Sequence, residues 1–168
     1  MNQLYSSEHS GTQIEAPTTF GYGTPVDDIP IERLWRVPGL VIDVSSEVHP
    51  HYKITSEVLI KWEREMGLTI TDYGIVLIHT GFQARVKVSN GGLEKGIPSP
   101  QPALSVDAAL WLLNDRFTYG RQRGIVGVGI DLNSLDENDT NATTSSREKL
   151  YRGGIYAIHN LKNLHMVM

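Results

Sequence analysis

Short runs dense in β-branched residues alternate with segments of helical period, and no other feature constrains the fold as much. Gly39–Ser46 (GLVIDVSS), Asp72–Thr80 (DYGIVLIHT) and Gly124–Asp131 (GIVGVGID) have the apolar character of buried strands, and Gly154–Ile158 makes a fourth. After the first strand, Thr55 or Ser56 caps a helix with Val58, Leu59, Trp62 and Met66 on one stripe and Gly67 as its stop. After the second, Ser105 caps a helix with Asp107 in its first turn and Ala108, Ala109, Leu112 and Leu113 as its apolar face. Arg147–Tyr151 reads as a short helical turn, and residues 11–17 as a short strand ending at Pro17. The alternation predicts an α/β domain with parallel or mixed sheet.

The 168 residues suit one domain, and 40% hydrophobic content is enough for a single core. Residues 20–30 and 89–102, rich in Gly and Pro, read as loops, and the Asn-, Thr- and Ser-rich stretch 133–146 as a mobile polar surface loop. No element evidently covers either edge of the sheet, which leaves it exposed at both sides. The charge is -4, from 15 basic and 19 acidic residues without a long run of either sign, which argues against a nucleic-acid partner. The absence of cysteine excludes disulfides and thiolate chemistry and makes a reducing compartment the simpler expectation. Without an apolar leader or a run of membrane-spanning length, the expectation is a cytoplasmic protein with no membrane partner. The sequons at Asn138 and Asn141 carry little weight without an export signal.

Chemistry concentrates in His9-Ser-Gly-Thr-Gln-Ile-Glu-Ala-Pro17. On an extended, glycine-bent strand, His9, Gln13 and Glu15 can face one side. His9 and Glu15 are good ligands for a divalent metal and Gln13 a weak one, although the segment taken alone reads more simply as a polar arm with a chance histidine. His159, at the end of the last strand, would complete two histidines and a carboxylate. His79 ends a strand and reads as a structural hydrogen-bonding residue; His49 and His51 read as a solvated pair flanking Pro50. Asp131 and Asp136 read as ties to the turn that follows the third strand, through its backbone amides. Gly124-Ile-Val-Gly-Val-Gly129 lacks the spacing of a dinucleotide fingerprint and lies within a strand, so a nucleotide is excluded.

In order, four blocks resemble the cyclase family that includes kynurenine formamidase and isatin hydrolase. His9–Thr19 resembles its motif HxGTHxDxPxH. GLVIDVS precedes ITSEVLIKWEREMG and DYGIVLIHTGF; LSVDAALWLL precedes GIVGVGIDLNSLD; and GIYAIHNLKNL resembles a strand ending in Glu-Asn-Leu. The resemblance implies a swivelling β/β/α domain over residues 1–168, cut short at both ends relative to the family. It also implies a homo-oligomer with a small-molecule substrate, and amide or formamide hydrolysis by zinc or manganese. For kynurenine formamidase, in tryptophan catabolism, the reaction is N-formylkynurenine to kynurenine and formate.

The motif's metal positions fall on His9, Gln13 and Glu15, with His159 where the family has glutamate. Its final histidine is Thr19 here, and a further catalytic histidine falls close to Arg147. Neither Thr19 nor Arg147 can serve as a neutral-pH base, a role worth roughly 10²- to 10⁴-fold in rate. Two readings follow: a hydrolase with a remodelled metal site, or an inactive homologue acting as a binding or assembly subunit. A generic α/β binding module is a third reading, and it requires the four ordered blocks to be accidental.

Overall fold

The computed structural model describes residues 3, 5, 7, 9–82, 100–114, 117–118, 121–122, 124–136 and 145–168. Its strands are β1 (Gln13–Glu15), β2 (Gly39–Asp43), β3 (Lys53–Ile54), β4 (Ile75–His79), β5 (Ala103–Leu104), β6 (Phe117–Thr118), β7 (Arg121–Gln122), β8 (Gly127–Ile130) and β9 (Tyr156–His159). The helices are α1 (Ser56–Met66), α2 (Val106–Asn114) and α3 (Ser146–Arg152), with short 3-10 turns at Pro17–Phe20, Val26–Asp28, Ile31–Arg33 and Leu164–Met166.

The central sheet runs β1-β9-β8-β4-β2. Strands β2, β4, β8 and β9 are parallel, and β1 joins antiparallel to β9, with Gln13 opposite His159 and Glu15 opposite Ala157. Directly opposed residues share a face, so this register sets Gln13 and Glu15 on the same side as His159. The expected uncovered edge beside β9 is therefore corrected. The chain's own first strand closes it, and as a three-residue edge β1 offers little template for further pairing.

Alternation along the strands divides the interior in two. On one face Ile42, Val76, Ile78, Val128, Ile130 and Ala157 pack under the helices with Leu59, Trp62, Ala108, Ala109 and Leu112. On the other, Val126 and Tyr156 pack with Ala16 and Ile29. Both expected helix starts are present. Thr55 accepts from the Val58 amide at 3.4 Å, and Ser105 Oγ from the Ala108 amide at 3.3 Å. Gly67 ends α1 at φ 63°, where a residue with a Cβ would be strained.

Three expectations are corrected here. Met66 is on the stripe by period but is exposed, because periodicity gives direction and not the extent of the surface that the helix packs on. The strand after Asp72 begins only at Ile75, because Tyr73 (φ 56°) and Gly74 form a turn. Within the stretch read as a polar surface loop, Leu135 is fully buried and its carbonyl accepts from the Leu104 amide at 2.8 Å. A single leucine among polar residues gives no periodic signal for such an anchor. The remainder of that stretch, 137–144, with Asn138 and Asn141, lies outside the described residues, as do 89–99 of the earlier loop.

Candidate metal centre

Glu15 sits where β1 faces α3. His159, at the end of β9 and 1% exposed, places Nε2 2.8 Å from Glu15 Oε2. Ser145 caps α3 by accepting from the Glu148 amide at 3.0 Å, and the helix then projects Arg147 and Tyr151, one turn apart, toward the same carboxylate. Tyr151 Oη donates to Glu15 Oε2 at 2.6 Å. Arg147 Nη1 lies 3.4 Å from Oε1 and 3.3 Å from Oε2. Arg147 Nε lies 3.2 Å from Asp136 Oδ2, an ion-pair distance at which its N–H is not aligned for a hydrogen bond. Asp136 also accepts from Ser146 Oγ at 2.7 Å and the Arg147 amide at 3.2 Å, and so ties the start of α3. Phe20 closes the cluster, its ring centroid 5.6 Å from that of Tyr151 and 5.0 Å from the Arg147 guanidinium carbon.

Burial pushes the Glu15 pKa up, but hydrogen bonds from His159 and Tyr151 and the Arg147 charge outweigh it and bring it to about 2. Burial, with the Glu15 hydrogen bond and charge, raises Tyr151 well above the ordinary phenol value, so it remains a donor. With Glu15 ionised, the His159 nitrogen facing it carries a proton. The other ring nitrogen, Nδ1, is buried and without a hydrogen-bond partner among the described residues.

The four expected ligands fall into two pairs. Gln13 Nε2 lies 3.2 Å from His9 Nδ1, and His159 contacts Glu15. His9, Gln13, Glu15 and Thr19 line one cavity of about 360 Å³ beside β1. A divalent ion needs convergent lone pairs. Here the carboxylate accepts N–H and O–H groups, the facing His159 nitrogen is a donor, and a guanidinium stands alongside. Among the described residues no group of three His, Cys, Asp or Glu is placed to hold an ion. As folded, this donor set does not fit a metal.

The residue that sequence reasoning passed over is Tyr151, which read only as the end of a helical turn. Its spacing of four from Arg147 is the signal that would have found it. His79 has the structural role expected, with Nδ1 3.0 Å from Asp131 Oδ2. Asp131 does accept backbone amides, but those of Thr80 and Gly81 at the end of β4. The expectation that it ties the turn after its own strand is thus corrected: parallel pairing of β4 with β8 brings the neighbouring turn within reach. His49 Nδ1 lies 2.7 Å from the Pro50 carbonyl.

No curated protein matches the sequence. Among solved structures, the chain superposes on isatin hydrolase A from Ralstonia solanacearum with a TM-score of 0.75 and 26% identity, covering 95% of this chain and 61% of that one. Isatin hydrolase A from Labrenzia aggregata, bound to benzyl benzoate, gives 0.74 and 26%, covering 95% and 62%. A "predicted metal-dependent hydrolase" from Bacillus stearothermophilus gives 0.63 and 22%, covering 96% and 66%, a likeness of fold alone. The chain thus spans about three fifths of the length of the isatin hydrolases it matches. Its mixed α/β architecture, a central sheet with flanking helices, is that of the cyclase and kynurenine formamidase fold expected from the sequence. The Cyclase family model matches residues 2–137, most of the chain, and the protein belongs to that family.

Proposed function

We propose that this chain is a non-catalytic member of its family, acting as a binding or assembly subunit. The observation that carries this reading is the state of Glu15, whose carboxylate is occupied by Tyr151, His159 and Arg147. A charged guanidinium beside the carboxylate supplies internally the positive charge that a metal would otherwise provide. It also opposes the approach of a cation. Thr19, at one of the family's histidine positions, and Arg147, close to the other, offer no neutral-pH base. With no cysteine to oxidise, a cytoplasmic homo-oligomer suits this role. Among the described residues no helix is long and apolar enough to cross a membrane.

A second reading is supported by the cavity shared by His9, Gln13 and Glu15 and by the His159–Glu15 contact. In it, His9, Gln13, Glu15 and His159 would hold zinc or manganese in place of the Arg147 and Tyr151 contacts, and the metal would supply Lewis-acid chemistry for hydrolysis of an amide or formamide such as N-formylkynurenine. Elemental analysis after exhaustive dialysis, with His9→Ala as control, separates the two. The non-catalytic reading expects no bound metal in the folded protein and no turnover of isatin or N-formylkynurenine. About one metal ion per chain, lost in His9→Ala, would overturn it in favour of the hydrolase.

A further inference from the structure

Beside the residues that lead into β8 and β9, a second, open cavity of about 730 Å³ lies between α2 and α3. Its size is in the range of small-molecule sites, about 300–1,000 Å³. Arg33, Lys149 and Arg152 line it together with Leu110, Leu113 and Ile125, and among the described residues no Asp or Glu does. Cationic groups and apolar walls therefore converge on one space in a chain whose overall charge is -4.

Each cation is placed differently. Arg33 Nη2 donates to the carbonyls of Gly154 at 2.6 Å and Val126 at 3.3 Å. Its guanidinium is thus fixed at the wall by neutral acceptors that leave its charge uncompensated, and Nε and Nη1 have no described partner. Arg152 lies over the Tyr22 ring at 5.0 Å and 3.8 Å from Glu148, a loose, half-exposed pair that screens it only in part. Lys149 has no ion-pair partner among the described residues. Opposite them, Leu110 and Leu113 of α2 and Ile125 before β8 give the apolar side.

We infer that this cavity binds an amphipathic organic anion, a carboxylate carried on an aliphatic or aromatic body. The carboxylate meets Arg33, Lys149 and Arg152, and the body lies along Leu110, Leu113 and Ile125. A carboxylate paired with a fixed guanidinium forms the stronger, charge-assisted kind of hydrogen bond, and the apolar body adds burial. The inference goes beyond the reading of the Glu15 cluster and does not depend on it, because Glu15, Arg147, Tyr151 and His159 take no part in lining this cavity.

The test is isothermal titration of the full chain with octanoate in low salt, with octylammonium as the matched cation. One octanoate per chain is expected, with octylammonium at least about tenfold weaker. Lys149→Ala/Arg152→Ala should weaken octanoate by roughly tenfold or more, as loss of charge-assisted contacts does. Leu110→Asp, an exposed position on the other wall, should weaken it comparably, and decides alone if the double variant does not fold. Absence of octanoate binding by the folded protein, equal affinity for the two probes, or unchanged affinity in the variants would overturn the inference. Metal content is read separately, so this result and that for the Glu15 cluster can each fail alone.

Discussion

Replacing Glu15 by Gln keeps the shape of the side chain and removes its charge, and so measures what the ionised carboxylate contributes. In the folded protein the Glu15 pKa is about 2, against an ordinary 4.5. Because the folded value is depressed, the unfolded chain takes up the proton first as pH falls. The stabilisation is therefore fully present above about pH 4.5 and lost progressively as pH drops toward 2. At about 1.4 kcal/mol per pH unit of difference, the gap corresponds to about 3 kcal/mol at neutral pH. The side chain is only 11% exposed, so solvent screens little of this. Urea unfolding in the presence of a chelator, at pH 7 and pH 3, is the assay. At pH 7, Glu15→Gln should be about 3 kcal/mol less stable than the wild type. Between pH 7 and pH 3 the wild type should lose stability that the variant does not. A variant as stable as the wild type at pH 7, or with the same acid dependence, would refute the account of Glu15 as the hub of the cluster.

Two further changes probe the frame that holds the cluster. Asp131→Ala removes the shared acceptor of the Thr80 and Gly81 amides, the Thr80 hydroxyl and His79. It should cost about 3 kcal/mol or more, a fall in Tm of roughly 6–12 °C by calorimetry; a fall of one or two degrees would mean that water replaces the carboxylate. Gly127→Ala would place a Cβ 2.5 Å from the Tyr156 ring, which the hydrogen bond from Tyr156 Oη to the Arg33 carbonyl holds in place at 2.8 Å. About 1–3 kcal/mol of destabilisation is expected in urea unfolding, and an unchanged midpoint would show that the ring moves freely.

The sequence by itself determined the class of the fold and the approximate positions of its main strands and helices, but not the two-residue strands β3, β5, β6 and β7. Density of β-branched residues marked β2, β4 and β8, and the caps at Thr55 and Ser105 with the stop at Gly67 bounded α1 and began α2, because these are local properties of the backbone. The block order from His9 to Leu164 likewise carried the family. Only the tertiary structure decided what the motif residues do. The antiparallel register of β1 on β9 sets Glu15 beside His159, two residues 144 positions apart in the chain. Docking of α3 then fills the same carboxylate from Arg147 and Tyr151. Local sequence lists which side chains can ligate an ion. Whether their lone pairs converge on an ion or are taken by neighbouring N–H and O–H groups depends on long-range packing, which has no signature in the spacing of the motif.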